Sequence, residues 1–523
     1  MDALHLIRQG LQLLADKKPE QAEGISRTLL AQLPDLPPVS YFACEVALYQ
    51  GRFTEALQYI GRAIELDGGA PALHLKKAQV ELMLRQGIAA QESAKAAAAL
   101  KPEDAGIQFQ AAQIFSQADN PAGAEDYFAK AKSLGADNPH FLFELAKNCY
   151  YCGDMESAED AVSRFLTQVP DHGEALMLRA KLKKQTPEAN HTIMLQAVLG
   201  QKLGWKDEVG AAYALAKEQE DIGNYDAAFA ALKRGADIQR GHLRYDISAE
   251  VQNMTDVANA FTKEAFDKIP AGTSEDAPIF VVGMPRTGTT LVERILGNHR
   301  DVTPGGELND FSMAMRAVIN AHITQHPDRN LNPLSAALEA DYSRMGELYL
   351  QNVHGMIGGA KRFTDKLPFN FLYCGLIKKA LPNARIIHLV RDPLDTCFAV
   401  YKTLFNQAYF FSYDMSDLAE YYVAYHQLMA HWRTVMPDDI LDVSYEALVA
   451  APKTEGKRIA KHCGLSWSDE LTTVEKSTSA SSTASAAQIR EPIYTSSVHN
   501  WRNFEKHLSV LQEKLTAAGL ING

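Results

Sequence analysis

The chain has 523 residues, is 46% hydrophobic and 22% charged, and carries a formal net charge of −12. That is the composition of ordinary folded protein, long enough for about three domain-sized units or for a repeat array plus a catalytic domain. The acidic balance argues against a sequence-independent nucleic-acid binder, so any anionic ligand must be held by a local basic cluster.

The first stretch, MDALHLIRQGLQLLADKKPEQ, is amphipathic, broken by charges, and lacks the apolar segment of a signal peptide. No apolar run approaches the length of about 18 residues that a membrane span needs, and a cytoplasmic location is expected. Six scattered cysteines are expected to be reduced. Cys149 and Cys152 form one CxxC without a second pair, which favours helix packing over a metal or redox role. No metal is expected.

Ala22, Ala56, Ala90, Ala124 and Ala158 follow one another at steps of 34 residues. Pro34, Gly68, Pro102, Ala136 and Pro170 keep the same step. A small residue inside one helix and a breaker at the end of each unit resemble the tetratricopeptide repeat (TPR), in which paired helices stack into a continuous core. GNYDAA at 223–228 repeats the pattern out of phase, after an insertion around 175–208. The array implies either a docking groove for a peptide or protein partner, or a scaffold for assembly. The pattern fades after residue 240, and AGTSEDAP (271–278) has linker chemistry. The expected division is 1–240 repeat domain, 241–276 connecting segment, 277–523 second domain.

PIFVVG (278–283) is a β-branched apolar run that breaks at glycine and leads into the helical pattern TTLVERILGNH. ARIIHLVR (384–391) and DDILDVSY (438–445) are further strand runs, and RFTDK (362–366) reads as a short one. Strands alternating with helices imply a parallel sheet, with ligands at the carboxyl ends of the strands. The expected fold is thus a helical solenoid followed by a P-loop-like α/β domain.

GMPRTGTT (283–290) nearly fits the phosphate-binding pattern G-x-x-x-x-G-K-[ST], but Thr289 stands where the lysine belongs. The loop can still grip an anion through its backbone N–H groups and the helix end. Arg286 adds a forked charge, and Thr289 and Thr290 add hydroxyls. Without the lysine and an acidic Mg²⁺ partner, ATP phosphoryl transfer is disfavoured, and a small-molecule kinase is the weaker reading.

The segments PIFVVGMPRTGTTLVERIL and ARIIHLVRDPLDTCFAVY together resemble the 5′- and 3′-phosphate-binding segments of sulfotransferases that use 3′-phosphoadenosine-5′-phosphosulfate (PAPS). The nearest likeness is to tyrosylprotein sulfotransferases and their TPR-containing bacterial relatives, over residues of about 278–510. The resemblance implies that PAPS is held by Pro285, Arg286, Thr287, Gly288, Thr289 and Thr290, with Arg391 on the 3′-phosphate and Tyr445 nearby. It places the base on Glu307, 21 residues after Arg286, and the catalytic lysine on Lys366 of DKLPF. It places a nucleotide loop on STASAAQIREPIYTSSVHNW, with Ser485, Pro492 and Trp501 matching. Two positions depart: Ala399 replaces the family's serine, and Asn500 replaces its lysine. Lys402, Thr403 or Arg490 could compensate.

The implied activity is transfer of the PAPS sulfuryl group to a hydroxyl of a peptide tyrosine, saccharide or small metabolite. Glu307 would be the general base, and Lys366 and Arg286 would stabilise developing charge. The alternative is a TPR interaction protein whose α/β half binds nucleotide without catalysing. Glu307 could instead be a first-turn helix residue, and His388 reads as strand packing. The tyrosine-rich stretch 407–422 reads mostly as core.

Overall fold

The computed structural model describes residues 2–273, 276–358, 360, 362–405, 408–474, 493, 495 and 497–522. The chain divides into two compact units, Met1–Gln168 and Val169 onward.

The first unit is built of helical hairpins, from Ala3–Ala15 with Pro19–Gln32 to Pro139–Cys152 with Met155–Gln168. The five periodic alanines fall in the second helix of each hairpin, and all are fully buried. A methyl group is the largest side chain that lets the paired helices approach so closely. The periodic breakers lie in the turns between hairpins. Proline opens several helices at the first position, where its missing N–H costs nothing. Cys149 and Cys152 lie on one helix and form no disulfide.

The second unit begins with helices and continues into the sheet. The hairpin Trp205–Asp221 and Tyr225–Gly241 carries the out-of-phase repeat, with Gly223 in its turn at φ 82° and Ala228 buried. It is knitted to the rest of this unit. Phe229 stacks on His507 at 4.3 Å, and Glu220 takes hydrogen bonds from Lys402 (2.6 Å) and Asn500 (3.1 Å). The expected connecting segment holds the helices Ile247–Ala260 and Lys263–Lys268. Its linker-like end is docked as well, since Gly272 N–H donates to Lys379 O at 2.7 Å. So the repeat pattern fades near 240, while the compact units divide at 168.

Five parallel strands follow: β1 Ile279–Gly283, β2 Thr303–Pro304, β3 Phe363–Asp365, β4 Arg385–Val390 and β5 Ile440–Ser444. Their order is β2-β3-β1-β4-β5. β1 pairs with β3 on one side and β4 on the other, so the chain reverses direction across the sheet there. Ligands of open α/β sheets bind at such a switch point. Four of the strands match the sequence expectation. β2, two residues long, has no periodicity to read. Ile279, Val281, Ile387, Leu389 and Val443 pack with Val292, Ile295 and Leu296 in one core. On the other face, Phe280 meets Phe311 and Tyr349. Among the described residues no helix is long and apolar enough to cross a membrane.

Candidate active site

The loop after β1 is shaped by three residues with positive φ. Gly283 has φ 149°, and a Cβ there would lie 2.8 Å from Leu389 O. Gly288 has φ 101°, and a Cβ there would lie 2.6 Å from the Tyr445 ring. Both positions require glycine. Arg286 is the third, at φ 68°, a conformation that costs a non-glycine residue about 1–3 kcal/mol and concentrates at functional sites. The buried Thr287 hydroxyl donates to Met284 O at 2.7 Å and so locks the loop. The helix Thr289–Gly297 then starts without a side-chain cap. Its first N–H groups and positive dipole end face the loop.

Arg391, at the carboxyl end of β4, is buried against this loop. Its guanidinium donates to Arg286 O (3.0 Å) and Ser497 O (2.6 Å) and lies 4.8 Å from the Tyr445 ring centre. Tyr445 OH is bonded to Ser497 Oγ at 2.6 Å. Among the described residues, the buried Arg391 Nε has no partner. Asp392 caps the helix Pro393–Tyr401, accepting from Asp395 N–H at 2.9 Å.

Glu307 and Lys366 come together at the opposite side of the switch point. Gly305 N–H donates to Thr364 O (3.0 Å), and Lys366 N–H donates to Gly306 O (2.8 Å). The backbone ladder of β2 and β3 thus runs on and sets the two side chains beside each other. Lys366 Nζ donates to Glu307 Oε1 at 2.6 Å. The lysine side chain is 1% exposed and the glutamate 41%. Glu307 stands before the helix Asp310–Gln325, not in its first turn. Asp365 is wholly buried and accepts from Tyr349 OH, Asn370 Nδ2 and Leu367 N–H. Burial pushes its carboxyl well above the ordinary range, and its contacts fix the loop that carries Lys366.

Comparisons with known proteins bear on the family of this domain. Residues 278–469 match the Sulfotransferase family. This segment is a sulfotransferase-family domain. An uncharacterized protein of Aquifex aeolicus (strain VF5) is 28% identical over 399 residues, covering 75% of this chain and 52% of that protein. The chain therefore spans about half of that relative's length. A putative protein-tyrosine sulfotransferase of Caenorhabditis briggsae is 28% identical over 239 residues, covering 43% of this chain and 80% of that protein. Among solved structures, the sulfotransferase domain of the Synechococcus PCC 7002 olefin synthase aligns with 18% identity and a TM-score of 0.35, over 48% of this chain and 96% of that one.

At the two departing positions of the sulfotransferase domain, the neighbours are already engaged. Lys402 is paired with Glu220, and the Thr403 hydroxyl donates to Ala399 O at 2.9 Å. Asn500 also bonds Glu220. Ser485, Arg490 and Pro492 lie outside the described residues. In the tyrosine-rich stretch, Tyr413, Tyr421 and Tyr422 are core. Tyr409 differs: its ring meets Phe369, in the Lys366 loop, at 4.5 Å. Among the described residues, no cluster of three or more His, Cys, Asp or Glu could hold a metal.

Sequence reasoning missed Glu293 and Lys181, and it read His388 only as packing. Glu293, on the helix after the anion loop, is buried and accepts from Gly306 N–H and Thr364 OH, each at 3.0 Å. A glutamate on the apolar face of TTLVERIL was the available signal. His388 is indeed buried in the strand, but it bonds Asp442 (2.7 Å), Tyr425 OH and Arg433. Burial lowers its pKa. Burial works to raise Asp442, yet its bonds to His388 and Arg433 hold it below the ordinary carboxylate range. Lys181, on the helix Gly173–Leu182, feels Arg286; burial and then that charge press its amine down to about 8. No local pattern marks it.

Proposed function

We propose that the protein is a PAPS-dependent sulfotransferase that moves the sulfuryl group to a hydroxyl of a peptide, saccharide or small metabolite. The observation that carries this reading is the Glu307–Lys366 pair at 2.6 Å, set at the switch point of a sheet whose β1 loop is built for an anion. The fit to PAPS rests on the loop's two obligatory glycines and on Arg391, whose buried Nε still seeks an acceptor. The N–H groups of residues 285–290 and Arg286 would hold the 5′-phosphosulfate, and Arg391 the 3′-phosphate. PAPS, when bound, supplies an activated sulfuryl group.

The chain's own part is positioning and charge. Glu307 takes the proton of the acceptor hydroxyl as its oxygen bonds to sulfur. The bond from sulfur to the bridging phosphate oxygen breaks, and Lys366 and Arg286 stabilise the charge that gathers there. Lys366 must release Glu307 for this, so the ion pair of the free protein keeps both groups in place until the substrates arrive. The repeat array serves docking of a partner or assembly, and the protein works in the cytoplasm.

Calorimetric titration with 3′,5′-ADP (PAP, the desulfated product), set against ATP–Mg²⁺, tests the reading. PAP binding that exceeds ATP–Mg²⁺ binding and weakens in Arg391→Ala supports it. Tight ATP–Mg²⁺ binding without PAP binding would sink it.

A further inference from the structure

Asp395 lies in the first turn of the helix Pro393–Tyr401 and is buried. Arg391 Nη2 stands 3.9 Å from its Oδ2. A buried carboxylate beside a buried guanidinium normally closes into a short forked pair that cancels both charges. Here the gap is too long for a hydrogen bond. Both carboxylate oxygens are engaged elsewhere: Oδ2 accepts from His499 N–H at 2.5 Å, and Oδ1 accepts from Trp501 N–H at 3.1 Å.

The same turn meets the arginine with the opposite polarity. Arg391 Nη2 donates to Ser497 O at 2.6 Å, and Tyr445 OH is bonded to Ser497 Oγ. Residues 497–501 thus place a carbonyl on the guanidinium and two N–H groups on the carboxylate. His499 holds a φ of 61°, a left-handed conformation that costs a non-glycine residue and persists only where its surroundings fix it. Arg391 Nε is left buried and without a partner among the described residues.

We propose that Asp395 is a positioning residue of the anion site: by binding the N–H groups of His499 and Trp501 it docks the turn 497–501 on Arg391, and the docked turn keeps carboxylate and guanidinium apart, so that Arg391 presents an uncancelled charge to a phosphate. That this phosphate belongs to PAPS rests on the reading above, whereas the docking of the turn does not.

The test is Asp395→Asn in the full chain. It keeps the shape, removes the charge and puts an amide NH₂ where one acceptor stood. Coulomb's law alone has phosphate binding strengthen when a negative charge 3.9 Å from Arg391 is lost. The positioning role has it weaken. Calorimetry with PAP, and with pyrophosphate as a probe that lacks the nucleoside, reads the sign. Amide hydrogen exchange of peptides spanning 497–502 reads the two bonds. In D395N this exchange should quicken about tenfold and binding should weaken about tenfold, the effect of one charge-assisted bond. Asp392→Asn is the charge control. It removes a neighbouring negative charge, keeps a good capping residue and leaves the bonds of the turn in place. Its exchange at 497–502 should stay within twofold of wild type, and its affinity should not fall.

If D395N does not fold, the wild type decides. By linkage, saturating PAP or pyrophosphate should slow exchange at 497–502 about tenfold, and unchanged exchange overturns the proposal. In folded D395N, binding as tight as wild type or tighter, or unchanged exchange at 497–502, overturns it. An equal loss of affinity in D392N does so too. Pyrophosphate binding that weakens in D395N, in a protein that does not bind PAP, upholds the positioning role and overturns the PAPS reading. Binding of neither probe overturns both.

Discussion

The two units differ in how much charge they bury. In the first, the repeated interior positions are alanines with no exposed surface, and ion pairs such as Arg62–Asp35 and Lys130–Glu103 lie on the outside, while Glu81 is a buried carboxylate. In the second, the sheet and the helix after β1 bury Lys366, Asp365, Glu293, His388 and Arg391. The first unit is optimised for close approach of helices. The second accepts desolvated charge, which is retained where it is bonded and where chemistry needs a preorganised field. Buried polarity, not overall burial, separates scaffold from site.

The sharpest way to break the contrast is to remove the exposed member of the Glu307–Lys366 pair. Glu307→Gln should lower the PAPS turnover rate about 10²–10⁴-fold, the range for loss of a general base, while thermal unfolding stays within a degree or two. An equal fall in stability would mean that Glu307 is structural. Arg391→Ala comes next. It removes charge-assisted bonds of about 1.5–3 kcal/mol, so PAP affinity should fall about 10- to 100-fold by calorimetry. Unchanged affinity would move the 3′-phosphate elsewhere.

A change in the scaffold should do the reverse. Ala90→Leu overfills a helix contact with no free space and should cost about 1–3 kcal/mol in denaturant unfolding, with PAP affinity unchanged. The smallest effect concerns Lys181. Its folded pKa of about 8 lies below the ordinary lysine value of 10.5, so the folded chain holds this proton less tightly than the unfolded one. Stability contributed by this group is lowest below pH 8 and rises as pH climbs from 8 toward 10.5. Lys181→Met should therefore be about 1–2 kcal/mol more stable than wild type at pH 7, allowing for partial solvent screening, and the gap should narrow as pH rises from about 8 and close above about 10.5. A gap independent of pH would show that packing, not charge, sets it.

Much of the architecture is written locally. The 34-residue alanine series fixes the hairpins of the first unit because close helix packing admits only small side chains at those positions. The glycines at 283 and 288 and the apolar run before them define the anion loop, since each φ is forbidden to other residues at low cost. Arg286 is read from the loop itself, whereas Glu307, Lys366 and Arg391 are named by the resemblance to sulfotransferases. What the sequence could not decide depends on distance along the chain. Where the compact units divide follows from contacts such as Phe229 on His507, between residues hundreds of positions apart. That Glu307 faces Lys366 depends on β2 pairing with β3, and β2 is too short to carry a pattern. The roles of Asp395 and Lys181 depend on which groups surround them after folding, because desolvation and Coulomb energy are properties of three-dimensional surroundings and leave no periodic trace in the chain.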